Sequence, residues 1–197
     1  MSALAVVSAG LGRPSSTRLL ADRLAAATSE ALGPGVTVET VELRDHAHAV
    51  VDATLTGFPT GEFRAAVETV TGAAGLIAVT PVFNASFSGL FKAFFDVLER
   101  GSLDGMPVLL GATGGTARHS LVLDHALRPL FGYLRARPAA TAVYAASEDW
   151  AGGGDDALAG RVARAGAELA AMIRAAPPRA KDDPYDSPVD FATLLAS

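Results

Sequence analysis

The sequence predicts an α/β fold, in which a parallel β-sheet carries helices on both of its faces. Apolar runs typical of strands alternate with helical patterns along the whole chain. The runs at 75–80 and 106–112 are almost wholly apolar, as parallel strands covered on both faces are. Between such runs, apolar residues recur with the period of amphipathic helices. This alternation is typical of a parallel sheet sandwiched between helices.

The first half of the chain supplies three strands and two helices. In order, we predict a strand at 3–8, a helix at 16–32, a strand at 36–43, a helix at 62–71 and a strand at 75–80. Gly33, Pro34 and Gly35 end the first helix, because neither residue type continues a helix readily. The strand at 36–43 mixes polar with apolar residues, as an edge strand does. Residues 44–61 are predicted as a loop of about eighteen residues, a length that suggests either a function or local disorder.

The second half continues the alternation. We predict a helix at 89–100, a strand at 106–112, a helix at 118–136, a strand at 141–146 and a helix at 157–175. Residues 1–176 therefore form one domain, because no linker or repeat divides them. Residues 177–197 form a tail rich in Pro and Asp, with a small apolar cluster of Phe191, Leu194 and Leu195.

Five strands with a polar second strand fit the order 2-1-3-4-5 of a flavodoxin-like three-layer sandwich. In that order the first strand is central and the second lies at an edge. Ligands bind such sheets beyond the carboxyl ends of the strands, near the point where the strand order reverses. The loops after the first, third and fourth strands are therefore the candidate functional loops.

The composition excludes several classes of function. The 197 residues carry a net charge of −5 and no basic cluster, which argues against nucleic acid as a partner. Because the chain has no cysteine, disulfides, thiolate metal sites and cysteine nucleophiles are excluded. The apolar N-terminus lacks a basic leader, and no stretch approaches the ~18 apolar residues of a membrane span. We expect a cytoplasmic protein.

The first candidate loop, SAGLGRPSSTR at residues 8–18, predicts a phosphate site. A helix N-terminus offers unpaired N–H groups and a partial positive charge to an anion. The spacing matches neither GxGxxG nor the Walker pattern, which disfavours dinucleotide and nucleoside triphosphate sites. A helix with a serine N-cap would explain the same residues. Hydroxyl and guanidinium donors in the loop are Ser8, Arg13, Ser15, Ser16 and Thr17.

The other two loops predict a surface for a flat ring. TPVFNASFSG at 80–89 offers apolar Phe83 beside polar Asn84 and Ser86. ATGGTARHS at 112–120 contains Gly114 and Gly115, which let backbone approach a ligand closely. Polar turns that cap the following helices are the alternative for both loops.

Together, SAGLGRPSSTR, TPVFNASFSGLFKAFFD and TGGTARHS with LRPLFGYLRA resemble the NAD(P)H-dependent FMN reductases of flavodoxin-like fold. The resemblance extends over about residues 3–150. Within the family, the sequence is similar to an actinobacterial branch associated with luciferase-like monooxygenases. The resemblance implies homodimers or homotetramers, with FMN and a nicotinamide nucleotide as ligands.

The resemblance also implies a role for each loop. The FMN phosphate would lie in the first loop, and the ring would lie along the second, with the third at its other edge. Phe83 stands where many members have tyrosine, so a hydroxyl contact is absent there. Residues implied at the ring are Pro81, Val82, Phe83, Asn84, Ser86, Thr113, Gly114 and Gly115. Separately, His119 in the third loop is a candidate donor near the ring or phosphate, or else a solvent-facing residue at the start of a helix.

The chemistry implied is hydride transfer from nicotinamide to FMN, which needs no acid–base side chain, and reduced FMN would serve a flavin-dependent monooxygenase. Alternatives left open are a flavoprotein reducing quinones, azo dyes or metal oxyanions, an electron-carrying flavodoxin without its own NAD(P)H activity, and a flavin-binding regulator.

Two histidine-containing patterns could suggest other chemistry. His46 and His48 form an HxH pattern without a clear third ligand, so we predict a solvated loop and no metal site. Asp124 and His125 could suggest a hydrolase triad, but the sequence contains no GxSxG elbow and both residues lie in a helical pattern. We therefore do not predict a hydrolase.

The helices at 89–100 and 118–136 have broad apolar faces that are mostly core, with an excess suited to a dimer interface. Lys92 and Asp96 are predicted to pair, and Trp150 to anchor the end of the fifth strand.

Overall fold

The structure, a computed structural model, describes residues 3–150 and 155–177. Its α/β sandwich confirms the predicted fold class. The strands are β1 (Ala3–Ser8), β2 (Thr37–Glu42), β3 (Gly75–Phe83), β4 (Ser86–Phe87), β5 (Pro107–Gly114), β6 (Arg137–Pro138) and β7 (Val143–Ala146). The α-helices are α1 (Ser16–Leu32), α2 (Ala47–Thr56), α3 (Gly61–Gly72), α4 (Gly89–Asp96), α5 (Arg128–Tyr133) and α6 (Asp155–Ala175).

The sheet runs in the order β2-β1-β3-β5, with β6 and β7 both beside β5. All of these pairs are parallel. The predicted order 2-1-3-4-5 is therefore confirmed for the main strands, but the described sheet has seven strands. The two additional strands are two-residue pieces: β6 pairs with the start of β5, and β4 forms an antiparallel hairpin with β3.

Two apolar layers hold the sandwich together. Helices α1 and α6 cover one face, where Leu24 and Leu169 are fully buried. The other face is covered by α2 to α5 and contains a cluster of phenylalanine rings with centroids 4.8–6.3 Å apart. Phe91, Phe94 and Phe95 are at most 2% exposed. The apolar face of α4 is thus core, as the sequence predicted for most of it.

The prediction of a loop at 44–61 is wrong. A short turn of 3-10 helix covers Leu43–His46, and α2 follows directly. His46 and His48 therefore belong to helical backbone. Within residues 3–150 and 155–177, no group of three or more histidine or acidic side chains is placed to hold a metal ion.

The predicted continuous helix at 118–136 is also wrong. The segment contains a 3-10 turn at Ala117–His119, a wide turn of π-helix at Leu123–Leu127 and then α5. Arg135, just after α5, has a φ of 56°, so the chain leaves the helical region there. Asp124 pairs with Arg128 at 2.7 Å.

Two smaller predictions are confirmed. Lys92 Nζ lies 2.6 Å from Asp96 Oδ1, and Trp150 packs against the α1–α6 layer with Arg23 over its ring. In the part of the chain that the structure describes, no helix has the length and apolar character needed to cross a bilayer. The predicted tail lies outside the described residues from position 178 onward.

Candidate functional site

The three predicted loops converge on one cleft at the carboxyl edge of the sheet. The register places Pro81 beside Thr113 and Gly114 beside Ala146, so the strand ends are level. The cleft has a volume of about 340 Å³, which is large enough for a small-molecule ligand. Its walls are Leu11, Gly12, Pro14, Ser15, Ser16, Thr17, Pro81, Val82, Phe83, Thr113, Gly114, Gly115 and Ser147.

The first loop folds tightly onto the start of α1. Ser15 is the N-cap, and its Oγ accepts the backbone N–H of Arg18 at 3.2 Å. The backbone N–H groups of Ser16 and Thr17, in the first turn, have no acceptor within the helix. A Cβ atom on Gly10 would lie only 2.1 Å from Ser15 Oγ, so a side chain here would displace the Ser15 hydroxyl. The loop thus presents backbone donors and hydroxyls at the positive end of a helix.

The Thr17 hydroxyl has a structural contact. Thr17 Oγ1 and Thr113 Oγ1 are 2.8 Å apart, and both residues are buried. This hydrogen bond joins the first turn of α1 to the end of β5. It therefore fixes the first and third loops relative to each other.

Ser8 and Arg13 lie outside the walls of the cleft. Ser8 ends β1, is 1% exposed, and its Oγ has no hydrogen-bond partner within the described residues. Leaving a buried hydroxyl without a hydrogen bond costs about 1–3 kcal/mol of folding free energy. The Ser8 hydroxyl is therefore suited to donate a hydrogen bond to an anionic ligand. Arg13 is paired with Asp45 at 3.1 Å, and its side chain is 73% exposed. The roles assigned to both residues stay predictions.

The second loop is a tight hairpin. Val82 pairs with Phe87 and Phe83 with Ser86, so β3 and β4 are joined by the two residues Asn84 and Ala85. Both have positive φ angles, 48° and 71°, as in a type I′ turn. Pro81, Val82 and half-exposed Phe83 form one wall of the cleft. Asn84 and Ser86 lie at the tip, outside the described walls.

We expect Ala85→Gly to stabilise the protein by about 1 kcal/mol, because a Cβ atom is unfavourable in the left-handed region. Thermal unfolding measures the change. Ala163→Gly is the matched control: this exposed residue lies inside α6, where glycine should destabilise by about 1 kcal/mol. Loss of stability in both variants would contradict the strained turn.

The third loop is supported from behind by Tyr144. Its hydroxyl donates to the Thr116 carbonyl at 2.8 Å, and a Cβ atom on Gly114 would lie 2.2 Å from that hydroxyl. Burial, and then the charge of Asp149, raise the pKa of Tyr144, so the phenol keeps the proton it donates. Gly114 and Gly115 thus present bare backbone to the cleft. His119 is exposed and lies outside the described walls.

Four wall residues were missed by the sequence analysis. Leu11, Gly12 and Pro14 lie in the first loop, but they have no polar side chain, so the residue chemistry did not predict a contact with a ligand. Ser147 directly follows β7. The rule that ligands bind beyond the carboxyl ends of parallel strands was the signal that could have found Ser147.

Comparison with protein families gives a match over most of the chain. The family model of NADPH-dependent FMN reductases matches residues 2–151. An "FMN reductase (NADPH)" of Pseudomonas aeruginosa is 40% identical over 145 residues, which are 73% of this chain and 76% of that protein. The "NADH-dependent FMN reductase SfnF" of Pseudomonas fluorescens is 39% identical, over 74% of this chain and 76% of its own length.

Solved structures agree with these matches. An oxidoreductase from Corynebacterium diphtheriae superposes with a TM-score of 0.85 at 45% identity, covering 88% of this chain and 97% of that one. The apo form of the NADH:FMN oxidoreductase EMOB gives a TM-score of 0.76 at 26% identity, with 91% and 92% covered. An archaeal flavodoxin, at 12% identity and a TM-score of 0.61, shares the fold.

Proposed function

Because this chain belongs to the NADPH-dependent FMN reductase family, we propose that its cleft binds FMN with the phosphate at the start of α1. The chain is an oxidoreductase that uses NAD(P)H and FMN. The observation that carries the proposal is the convergence, in one cleft, of a helix N-terminus with hydroxyl donors and an apolar hairpin wall. These are the two surfaces that a phosphorylated flat ring requires.

Each end of the flavin has its own set of residues. The hydrogen-bond donors to the phosphate are Ser15, Ser16 and the backbone N–H groups at the start of α1. The buried hydroxyl of Ser8 and the guanidinium of Arg13 are further donors. The hairpin residues Pro81, Val82 and Phe83 offer one surface for the ring, with Asn84 and Ser86 at its polar edge. The ring's other edge faces Thr113, Gly114 and Gly115, and His119 is a further donor.

Bound FMN supplies the hydride-accepting chemistry, and the protein supplies binding and orientation. The bare backbone at Gly114 and Gly115 allows N–H groups to approach the ligand and stabilise negative charge that develops there. The Thr17–Thr113 hydrogen bond holds those donors at a fixed distance from the phosphate loop. Phe83 is 46% exposed and leaves the mouth of the cleft open to a nicotinamide. Hydride transfer from the nicotinamide to FMN requires no acid or base side chain.

The test is flavin binding and turnover by the purified chain. We expect FMN to bind, and NADH or NADPH to be oxidised faster with added FMN than with a quinone. Under anaerobic conditions NADH or NADPH should bleach the flavin. An oxidised flavin after anaerobic mixing would indicate an electron carrier, and failure to bind FMN at millimolar concentration would contradict the proposed site.

Delivery of reduced FMN to a flavin-dependent monooxygenase is the further step of this proposal. Its support is the exposure of the cleft mouth, where Leu11 is 52% exposed and a bound flavin can leave. The resemblance to the luciferase-associated branch stays a prediction, as does the cytoplasmic location.

The homodimer or homotetramer also stays a proposal. A hollow of about 550 Å³ lies between the ends of α4 and α5, away from the candidate site. Its lining includes Asp96 and Arg100, together with Asp104 and Arg135, which pair with each other at 3.4 Å. Acidic and basic groups in one patch suit a two-fold contact, in which the patch meets its own copy.

A further inference from the structure

The first loop of the cleft is tied to the segment after β2 by the side chain of Arg44. Arg44 Nη1 donates to the carbonyl oxygen of Gly12 at 2.6 Å, across 32 positions of sequence. Gly12 lines the cleft, whereas Arg44 lies outside its walls. The Arg44 side chain is only 17% exposed, whereas the Gly12 end of the contact lies at the surface. Arg44 therefore supports the loop from behind.

Two carboxylates lie beside the Arg44 guanidinium, that of Glu42 and, 3.7 Å from Nε, that of Asp45. Glu42 Oε2 lies 2.5 Å from Arg44 Nη2, and the Glu42 side chain is also 17% exposed. The same carboxylate pairs with Arg18 in the first turn of α1, and Arg18 pairs with Asp22 at 2.7 Å. A rigid guanidinium can engage several acceptors at fixed angles. The end of β2, the start of α1 and the first loop are thus joined through Glu42 and Arg44.

The contact decides which way the Gly12–Arg13 peptide unit faces. In a trans peptide, the carbonyl oxygen and the N–H point in opposite directions. Since Arg44 holds the Gly12 oxygen, the N–H of Arg13 points away from Arg44. Glycine can adopt many backbone conformations, so without Arg44 the oxygen is free to turn. A carbonyl oxygen turned toward the cleft would repel a phosphate.

We propose that Arg44 is a positioning residue that makes the cleft select FMN over riboflavin, which lacks the phosphate. The inference rests on the proposed function, because it requires the phosphate to lie in the first loop. It differs from the role predicted for Arg13, whose guanidinium is exposed and paired with Asp45. Arg44 acts through the loop backbone and makes no contact with the flavin.

The experiment compares the dissociation constants of FMN and riboflavin, measured by flavin fluorescence. We expect the unaltered protein to prefer FMN. Arg44→Gln should weaken FMN binding about tenfold, the effect of losing one charge-assisted hydrogen bond, and leave riboflavin binding unchanged. Arg64→Gln is the matched control: Arg64 is 69% exposed and paired with Glu68 on α3. It should keep both affinities.

The outcomes separate the two proposals. If the unaltered protein binds both flavins equally, the phosphate site itself is wrong. If it prefers FMN and Arg44→Gln keeps that preference, or weakens both flavins equally, the role of Arg44 is overturned. Should Arg44→Gln not fold, Arg44→Met decides, because methionine keeps a long side chain and cannot donate to the Gly12 oxygen. A full preference for FMN in Arg44→Met would overturn the inference.

Discussion

Gly10→Ala should raise the KM for FMN about tenfold or more while kcat changes little. The added Cβ atom would lie 2.1 Å from Ser15 Oγ and 3.0 Å from Thr17 Cβ. Ser15 must then rotate, which removes its hydroxyl from the loop and breaks its hydrogen bond to the Arg18 N–H. Binding that is equal in ground and transition states affects KM rather than kcat. Steady-state rates with varied FMN measure the effect.

A control variant and a second measurement make this result specific. Gly89→Ala places a Cβ atom at the first residue of α4 with nothing within 4 Å, so the KM for FMN should stay unchanged. Loss of the N-cap should also lower the stability of Gly10→Ala by about 1 kcal/mol. A normal KM for FMN in Gly10→Ala would show that the phosphate does not bind at the start of α1.

Gly166→Ala should destabilise the protein by about 3 kcal/mol, the upper part of the usual range for overpacking. Gly166 lies in α6 where this helix crosses α1. Its Cβ atom would be 2.8 Å from the backbone atoms Ala27 C and Thr28 N, and 2.9 Å from Ala27 Cβ. Backbone cannot rotate away as a side chain can, so the helices must separate. Calorimetry should show the melting temperature falling by roughly 6–12 °C.

Gly160→Ala is the matched control for this change. Gly160 lies in the same helix and is exposed, with nothing within 4 Å of an added Cβ atom. Here alanine should stabilise the protein by up to about 1 kcal/mol, through helix propensity alone. If both variants become more stable, the close approach of α1 and α6 is not a constraint on the fold.

The elements that the sequence predicted well carry their own local signals. The apolar run at 3–8 and the helix at 16–32 have the same bounds in the structure. For α1, Ser15 caps one end, and Gly33, with a φ of 88°, ends the other. The exposed face of β2 confirms the edge strand. Signals of this kind act over a few residues, so they can be read from the chain alone.

The elements that were missed depend on distant contacts. Helix α2 buries only Val50 and Ala53, too few apolar positions to give a clear helical period. The sequence predicts that the third strand ends at position 80, just before Pro81. The structure extends β3 to Phe83, because the hairpin with β4 provides backbone partners for Val82 and Phe83. In both cases a neighbouring element supplies what the local sequence lacks.

The sequence by itself determined the layered fold, the strand order and the three loops that meet at the cleft, because hydrophobic period, caps and turn residues are local properties. Tertiary structure alone decided which atoms face the cleft. Thr17 turns its hydroxyl to Thr113 and Arg13 pairs with Asp45, while Arg44 reaches Gly12 from behind. Each of these contacts joins residues more than 30 positions apart. Their geometry follows from how helices and strands pack, which no short stretch of sequence specifies.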